Sequence, residues 1–345
     1  MKKVFISAFL LLSLLTLNGC KSNQPPVKET GEPYGVNLAC ADFGSSFPGE
    51  YNKDYTYPTD QDLEYWQKKG LKLIRLPFKW ERLQLDLKGP LNQHDLNMKE
   101  LVRAAEKRDM VVLLDLHNYC RRYMNNEHTL IGNNGLTIGD LASFWQAIAK
   151  EFSTFKNIYG YGLMNEPHDL TPETSWFDMA QASINAIREV DTNTLIMVGG
   201  NDWSSAERWI EQSDTLKYLK DPANNLAFEA HVYFDKDASG TYKYSYEEEE
   251  CYLEKGIDRV KPFVEWIKQN KFHGFIGEYG IPDNDPRWNE TLDLFLGYLQ
   301  ENGINGTYWA AGPWWDSYFM AITPKDGKDR PQMPIIEKYT STFKK

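Results

Sequence analysis

Two acidic tripeptides, Asn165-Glu166-Pro167 and Gly277-Glu278-Tyr279, are the places where this chain most clearly holds chemistry. Each follows a short run rich in aromatic and β-branched residues, Ile158–Met164 and Phe272–Ile276, of the kind that forms buried parallel strands. A carboxylate at the C-terminal end of a strand in a strand–helix repeat sits at the mouth of a barrel, where that architecture keeps its reactive groups. Two carboxylates there can divide the cleavage of one glycosidic bond between them. One protonates the departing oxygen and the other attacks the anomeric carbon, as in a retaining glycosidase.

Other polar residues close neighbouring strands. Arg75 lies near the end of the second, and Asp115-Leu116-His117-Asn118-Tyr119 ends the third. Glu229-Ala230-His231-Val232-Tyr233 ends the sixth, and Tyr308-Trp309 ends the eighth, ahead of Ala311-Gly312-Pro313-Trp314-Trp315. Side chains two apart on a strand share a face, so His231 and Tyr233 are expected to look into the same mouth. His168 and Asp115 read as supporting groups.

These positions require strands to carry them. Strand-like runs fall at Gly35–Ala39, Leu71–Leu76, Val111–Leu116, Ile158–Met164, Leu195–Gly199, Leu226–Val232, Gly274–Ile276 and Gly306–Trp309. Amphipathic stretches lie between them, at Asp60–Lys69, Met98–Arg108, Ile138–Phe152, Ser175–Val190, Gly256–Asn270 and Arg287–Asn302. Strands alternating with helices predict a parallel sheet. Eight of them, with no glycine-rich dinucleotide turn after the first, predict a closed (β/α)8 TIM barrel of the α/β class rather than a Rossmann sheet. No repeat and no second-domain linker interrupts residues 34–345, which read as one domain. The run Glu247-Glu248-Glu249-Glu250 reads as a solvated loop.

Ahead of the domain, Met1-Lys2-Lys3 and the apolar stretch Val4–Leu17 form a secretory signal over residues 1–19, too short to span a membrane. Leu17-Asn18-Gly19-Cys20 resembles a bacterial lipobox, which implies lipidation at Cys20, a flexible tether over 20–33, and anchoring to the bacterial envelope on its periplasmic or outer face. With 49 Asp+Glu against 38 Lys+Arg the chain is acidic, which argues against nucleic acid and polyanionic substrates. Barrel cores and helix seams absorb many of the eleven tryptophans and 20 tyrosines, yet Trp80, Tyr119, Trp203, Trp314 and Trp315 follow strand ends and are expected to reach the cleft rim, where they suit stacking on sugar rings. Cys40, Cys120 and Cys251 permit at most one disulfide and have no zinc spacing, so packed or loop thiols are the default.

Taken together, Asn165-Glu166-Pro167, Glu278, His231-x-Tyr233, Arg75 and Trp309 resemble glycoside hydrolase family 5, from Tyr34 to the C-terminal region. Phe47-Pro48-Gly49-Glu50-Tyr51, Trp80-Glu81-Arg82, His117-Asn118-Tyr119, Ser239-Gly240-Thr241 and Ala311-Gly312-Pro313-Trp314-Trp315 are similar to its endoglucanase-like, cellulase branch. The resemblance implies a retaining endo-β-1,4-glucanase working without cofactor or metal, with Glu166 as acid and base and Glu278 as nucleophile. It implies that Asn165 bonds the sugar 2-hydroxyl, that Tyr233 and Arg75 orient Glu278, that His117 and His231 bind sugar hydroxyls or tune the carboxylates, and that Trp309 floors the site. It also implies a cis Trp309–Ala310 peptide. The expected partner is a β-linked polysaccharide or oligosaccharide met by a monomer that touches membrane only through its anchor.

Three other readings share these residues. A metal-dependent hydrolase could use His117 and His231, although Gly35–Phe43 lacks the histidine pair such barrels carry on their first strand. A catalytically silent glycan-binding lipoprotein would keep the fold without turnover. The same mechanism could also act on β-mannan, xyloglucan or another β-linked polymer.

Overall fold

The computed structural model describes residues 34–340, apart from 93, 172, 173 and 316. The signal, Cys20 and the tether lie outside the described residues. Ten strands are present among the described residues: β1 (Tyr34–Leu38), β2 (Leu73–Phe78), β3 (Val111–Leu116), β4 (Arg121–Met124), β5 (Glu127–Leu130), β6 (Ile158–Gly162), β7 (Leu195–Gly199), β8 (Leu226–Tyr233), β9 (His273–Gly280) and β10 (Asn305–Ala311). Eight close into a barrel in the order β1-β10-β9-β8-β7-β6-β3-β2, every pairing parallel. The (β/α)8 barrel is therefore present, with helices between successive barrel strands.

Alternation along the strands sorts the barrel interior into layers. Leu73, Leu113, Met197, Ala227 and Phe275 form a separate buried apolar cluster. Two residues further along the same strands come Arg75, Asp115 and Glu229, buried and charged. The apolar cluster thus plugs the N-terminal end, and the polar layer lies nearer the mouth. The intervening residues, such as Ile74, Leu76, Val112, Leu114 and Phe228, join the main core under the helices.

The helices are fixed by their caps and by ties to strand ends. Thr137 and Asp140 form a capping box at the start of the helix Ile138–Phe152, whose Leu141, Phe144, Trp145, Ile148 and Phe152 are buried at helical spacing. Trp145 Nε1 donates to the carbonyl of Leu163 at 3.0 Å, two residues before Asn165. Trp176 Nε1 likewise donates to Gly199 at 2.7 Å. These bonds link the outer helices to the loops that bear reactive groups.

Several expected boundaries shift. The seventh strand runs from His273 to Gly280, so Glu278 lies inside a strand rather than beyond it. The second runs to Phe78. The β4–β5 hairpin was not expected; it turns at Asn125-Asn126, both at positive φ, as a two-residue hairpin loop demands. Cys40, Cys120 and Cys251 are free thiols. No helix among the described residues is long and apolar enough to cross a membrane.

Candidate active site

The mouth is built around Arg75, fully buried on β2. Its Nη1 donates to Asn37 Oδ1 at 2.9 Å and to Glu278 Oε1 at 3.2 Å. Its Nη2 reaches Asn165 Oδ1 at 2.7 Å, Glu229 Oε1 at 2.8 Å and Asp115 Oδ1 at 3.0 Å. One guanidinium thus touches residues from five elements. Three carboxylates offset its desolvation and hold it protonated.

Glu278 owes its aim to a bulge. On β8, Ala230 pairs with Ile276 but His231 pairs with Glu278, so Gly277 has no partner. Phe275 lies in the plug, and a period of two would turn 277 inward and 278 outward; the extra residue reverses this. Gly277 also makes room, since a Cβ there would lie 2.1 Å from Glu229 Oε1. Its carbonyl accepts from Asn37 Nδ2 at 2.8 Å and from Thr307 Oγ1 at 2.6 Å, which fixes the bulge in place.

Tyr233 donates its hydroxyl to Glu278 Oε2 at 2.7 Å. His231 bridges the carboxylates, with Nδ1 2.8 Å from Glu166 Oε1 and 3.7 Å from Glu278 Oε2, and Nε2 3.1 Å from Glu229 Oε1. One oxygen each of Glu166 and Glu278 lies within 4.8 Å of the other and of a His231 ring nitrogen. Such a trio could face a cation. However, burial alone would lower the His231 pKa, and the charge of Glu278 with the bonds to Glu166 and Glu229 raises it to about 10. A protonated ring donates from both nitrogens and offers a cation no lone pair.

Burial pushes the Glu278 carboxyl up to about 7, against the pull of His231, Arg75 and Tyr233, and the neighbouring Glu166 adds to the rise. Near neutrality Glu278 thus takes up and releases its proton readily, within reach of Glu166. Glu166 itself sits on a left-handed backbone, φ 45°, beside Pro167. That conformation is uncommon for a non-glycine residue and costs on the order of 1–3 kcal/mol.

His117 is held by Asp115, Nδ1 to Oδ2 at 2.8 Å, and stacks on Trp309 with ring centroids 5.6 Å apart and planes 11° apart. Burial depresses its pKa to about 3, so the ring is neutral. With Nδ1–H given to Asp115, Nε2 accepts from Asn165 Nδ2, 3.2 Å away. Asn165 thereby has its oxygen on Arg75 and one N–H on His117, and its second N–H is free for a ligand. The Trp309–Ala310 peptide is cis.

All eight mouth residues expected from the sequence are thus brought together; Cys20 lies outside the described residues. Glu229 and Asn37, which complete the Arg75 network, and Gly277, which anchors Asn37, are not among the residues expected from the sequence. Period-two alternation from His231 back to Glu229 was the available signal. One rim expectation fails. Trp80 does not reach the cleft; it is fully buried against Phe144, with Nε1 bonded to Gln84. Trp203 does reach it, exposed and stacked on His168 at 4.5 Å. Tyr119, Glu166, Trp203, Arg208, Tyr233 and Ser239 are among the residues lining a cavity of about 520 Å³ there. Across the mouth, exposed Trp314 stacks on Phe43, and Trp315 packs edge-on to Trp309.

The chain matches the family described as Cellulase (glycosyl hydrolase family 5) over residues 27–314. It is 34% identical over 301 residues to endo-beta-1,4-glucanase B of Emericella nidulans, covering 85% of this chain and 87% of the relative. The structure of Pseudomonas stutzeri endoglucanase Cel5A in complex with cellobiose superposes with a TM-score of 0.84 at 39% identity, covering 91% of this chain and 94% of that one. XacCel5A in complex with cellopentaose superposes at 0.82 with 40% identity, covering 90% and 99%. This chain belongs to glycosyl hydrolase family 5, the cellulase family, and is a glycoside hydrolase of the endo-β-1,4-glucanase type.

Proposed function

We propose that the protein cleaves internal β-1,4-glucosidic bonds with retention of configuration, Glu278 as nucleophile and Glu166 as acid and base. The observation that carries this reading is the approach of the two carboxylates to within 4.8 Å across the mouth. Retaining pairs stand about 5–5.5 Å apart, whereas inverting pairs leave roughly 6.5–9.5 Å for a water.

The reaction requires Glu278 ionised and a proton on Glu166. His231 occupies Glu166 Oε1, so Oε2 is the oxygen free to deliver that proton to the leaving glucosyl oxygen. Glu278 attacks the anomeric carbon as the C–O bond breaks, which gives a glycosyl-enzyme ester and a chain with a new hydroxyl. Glu166, now a carboxylate, takes a proton from water as it attacks the same carbon, and Glu278 departs. Arg75 and Tyr233 stabilise the returning charge on Glu278. The free N–H of Asn165 is placed for the 2-hydroxyl, and Trp309, backed by His117, forms the floor under the ring.

Aromatic rings on both sides of the pair, Trp203 on one and Trp314 with Phe43 on the other, suit an extended chain and hence endo action. Both relatives of known structure cited above are complexes with β-1,4-glucose oligomers by their names, which supports glucan over mannan or xyloglucan. A hydrolysis screen on soluble cellulose derivative, mixed β-glucan, xyloglucan, mannan and xylan tests the substrate. The β-glucans should lose viscosity ahead of reducing-end release. Fastest turnover of mannan, or viscosity that lags behind sugar release, would overturn this reading.

The leader supports a second proposal: acylation at Cys20 and tethering of a monomer to the bacterial envelope. Incorporation of labelled fatty acid by the full chain, lost in Cys20→Ala, tests it.

A further inference from the structure

The loop after β8 is organised by a carboxylate that no catalytic role explains. Asp235 is fully buried. Its Oδ1 accepts from the Gly240 amide at 3.0 Å. Its Oδ2 accepts from the amides of Thr241 at 3.0 Å and Tyr242 at 3.3 Å, and from Ser239 Oγ at 3.0 Å. One side chain thus gathers four consecutive residues. Tyr242 then locks the result, accepting from the Phe234 amide at 2.8 Å and donating to the Gly280 carbonyl at 2.6 Å, so the loop is tied to the residue after β8 and to the end of β9, two residues beyond Glu278.

The gathered loop lies against Tyr233. Gly240 has φ +72°, and a Cβ there would come within 3.0–3.1 Å of three Tyr233 ring atoms. Its backbone is therefore flush with the ring that bonds Glu278. The backbone of Tyr233 has other supports, the β8–β9 ladder and Arg259, which donates to its carbonyl. What the loop fixes is the ring, and through it the hydroxyl. The outer side of the same loop, Ala238 and Ser239, lines the cavity beside Glu166 and Trp203.

We propose that Asp235 is a positioning residue for the bond-breaking step: it sets the loop that seats Tyr233, and thereby holds the Tyr233 hydroxyl on Glu278. The inference rests on Glu278 being the nucleophile, and its test is separate from the test of that assignment. Besides Tyr233, the groups facing Glu278 are Arg75, His231, Glu166, Tyr119 and Tyr318, all unchanged in the variants below.

The experiment is a double-mutant cycle of Asp235→Asn and Tyr233→Phe in the full chain, with kcat and KM on an aryl cellobioside followed against pH. Asp235→Asn puts an N–H group against backbone N–H groups at unchanged size. It should lower kcat about 10–100-fold, as loss of one oriented group does, and move the acid limb of kcat/KM upward. In the Tyr233→Phe background the same change should cost no more than about threefold, because the hydroxyl it serves is gone. Equal factors in both backgrounds, or a loss confined to KM with the acid limb unmoved, would overturn the proposal and leave Asp235 as a support for the cavity wall only. Gly240→Ala perturbs the same contact from the other side and gives the same readout if Asp235→Asn does not fold; an unchanged acid limb there counts against the proposal equally. Failure of Glu278 assignment would instead appear as a Glu278→Gln enzyme that retains turnover.

Discussion

The hydroxyl of Tyr233 donates to Glu278 Oε2 at 2.7 Å, while Arg75 donates to the other oxygen of the same carboxylate at 3.2 Å. Both bonds favour the ionised form that a nucleophile needs, and burial opposes them. The balance places the group near neutrality, where loss of either donor is visible in a pH profile. Tyr233→Phe should lower kcat/KM about 10–100-fold, the worth of a hydrogen bond to a charged group at about 1.5–3 kcal/mol. The acid limb should also move to higher pH, because the protonated form gains. Steady-state kinetics between acid and neutral pH check both.

Stability should show the same opposition with a defined sign. Glu278 is raised from 4.5 to about 7 and Asp115 from 3.8 to about 7, burial being the main cause in each. A raised carboxyl stabilises the fold fully below its unfolded value and loses that contribution as pH rises through the folded one. The depressed His117 acts in the opposite sense over the same range, so the clean readout is the difference between proteins: Glu278→Gln should gain in melting temperature on wild type as pH rises from 4.5 to 7 and melt higher at neutral pH. A parallel profile for the two proteins would contradict the assignment of strain to Glu278.

Glu166→Gln should separate substrates by leaving group. An activated aryl glycoside departs without a proton, so its first step is spared, while natural glucan loses roughly 10²–10⁴-fold in turnover. Comparable losses on both, measured as kcat/KM, would remove Glu166 from the acid role.

Gly277→Ala should be severe for one residue without a side chain. The added Cβ would meet Glu229 Oε1 at 2.1 Å and displace a partner of buried Arg75. Breaking such a buried pair costs about 3–5 kcal/mol, and activity should fall with stability. Gly139→Ala, with only Thr137 Oγ1 at 3.6 Å, should be tolerated. Chemical denaturation of the two variants decides it.

The aromatic rim predicts a dependence on chain length. Trp314→Ala and Trp203→Ala should each weaken long cello-oligosaccharides several-fold while sparing an aryl cellobioside, since a ring contributes about 1 kcal/mol beyond buried area. Isothermal titration with inactive Glu278→Gln protein across chain lengths would show it, and equal weakening at every length would place these rings outside the cleft.

The barrel was legible because its strands are apolar runs separated by amphipathic helices, and because the mouth residues cap those runs. Trp80 was misplaced since a tryptophan after a strand end reads the same whether it points to cleft or core; only Phe144 and Gln84 decide it. Glu278 was found by its neighbours, but its position inside β9 depends on a bulge, and one unpaired residue leaves no periodic trace in a short run. The β4–β5 hairpin was missed because Arg121-Arg122-Tyr123-Met124 lacks apolar alternation. Asp235 was invisible as a hub, because its partners are backbone amides rather than side chains.

The central claim is that Glu278 bonds covalently to sugar while Glu166 moves the proton. Incubation with an activated 2-deoxy-2-fluoro-cellobioside, which slows turnover of the intermediate, followed by mass spectrometry of proteolytic fragments, tests this directly. The account predicts one added fluorocellobiosyl unit on the peptide containing Glu278, and none in Glu278→Gln. Attachment to any other carboxylate, or no attachment from an enzyme that releases products of inverted configuration, would contradict it.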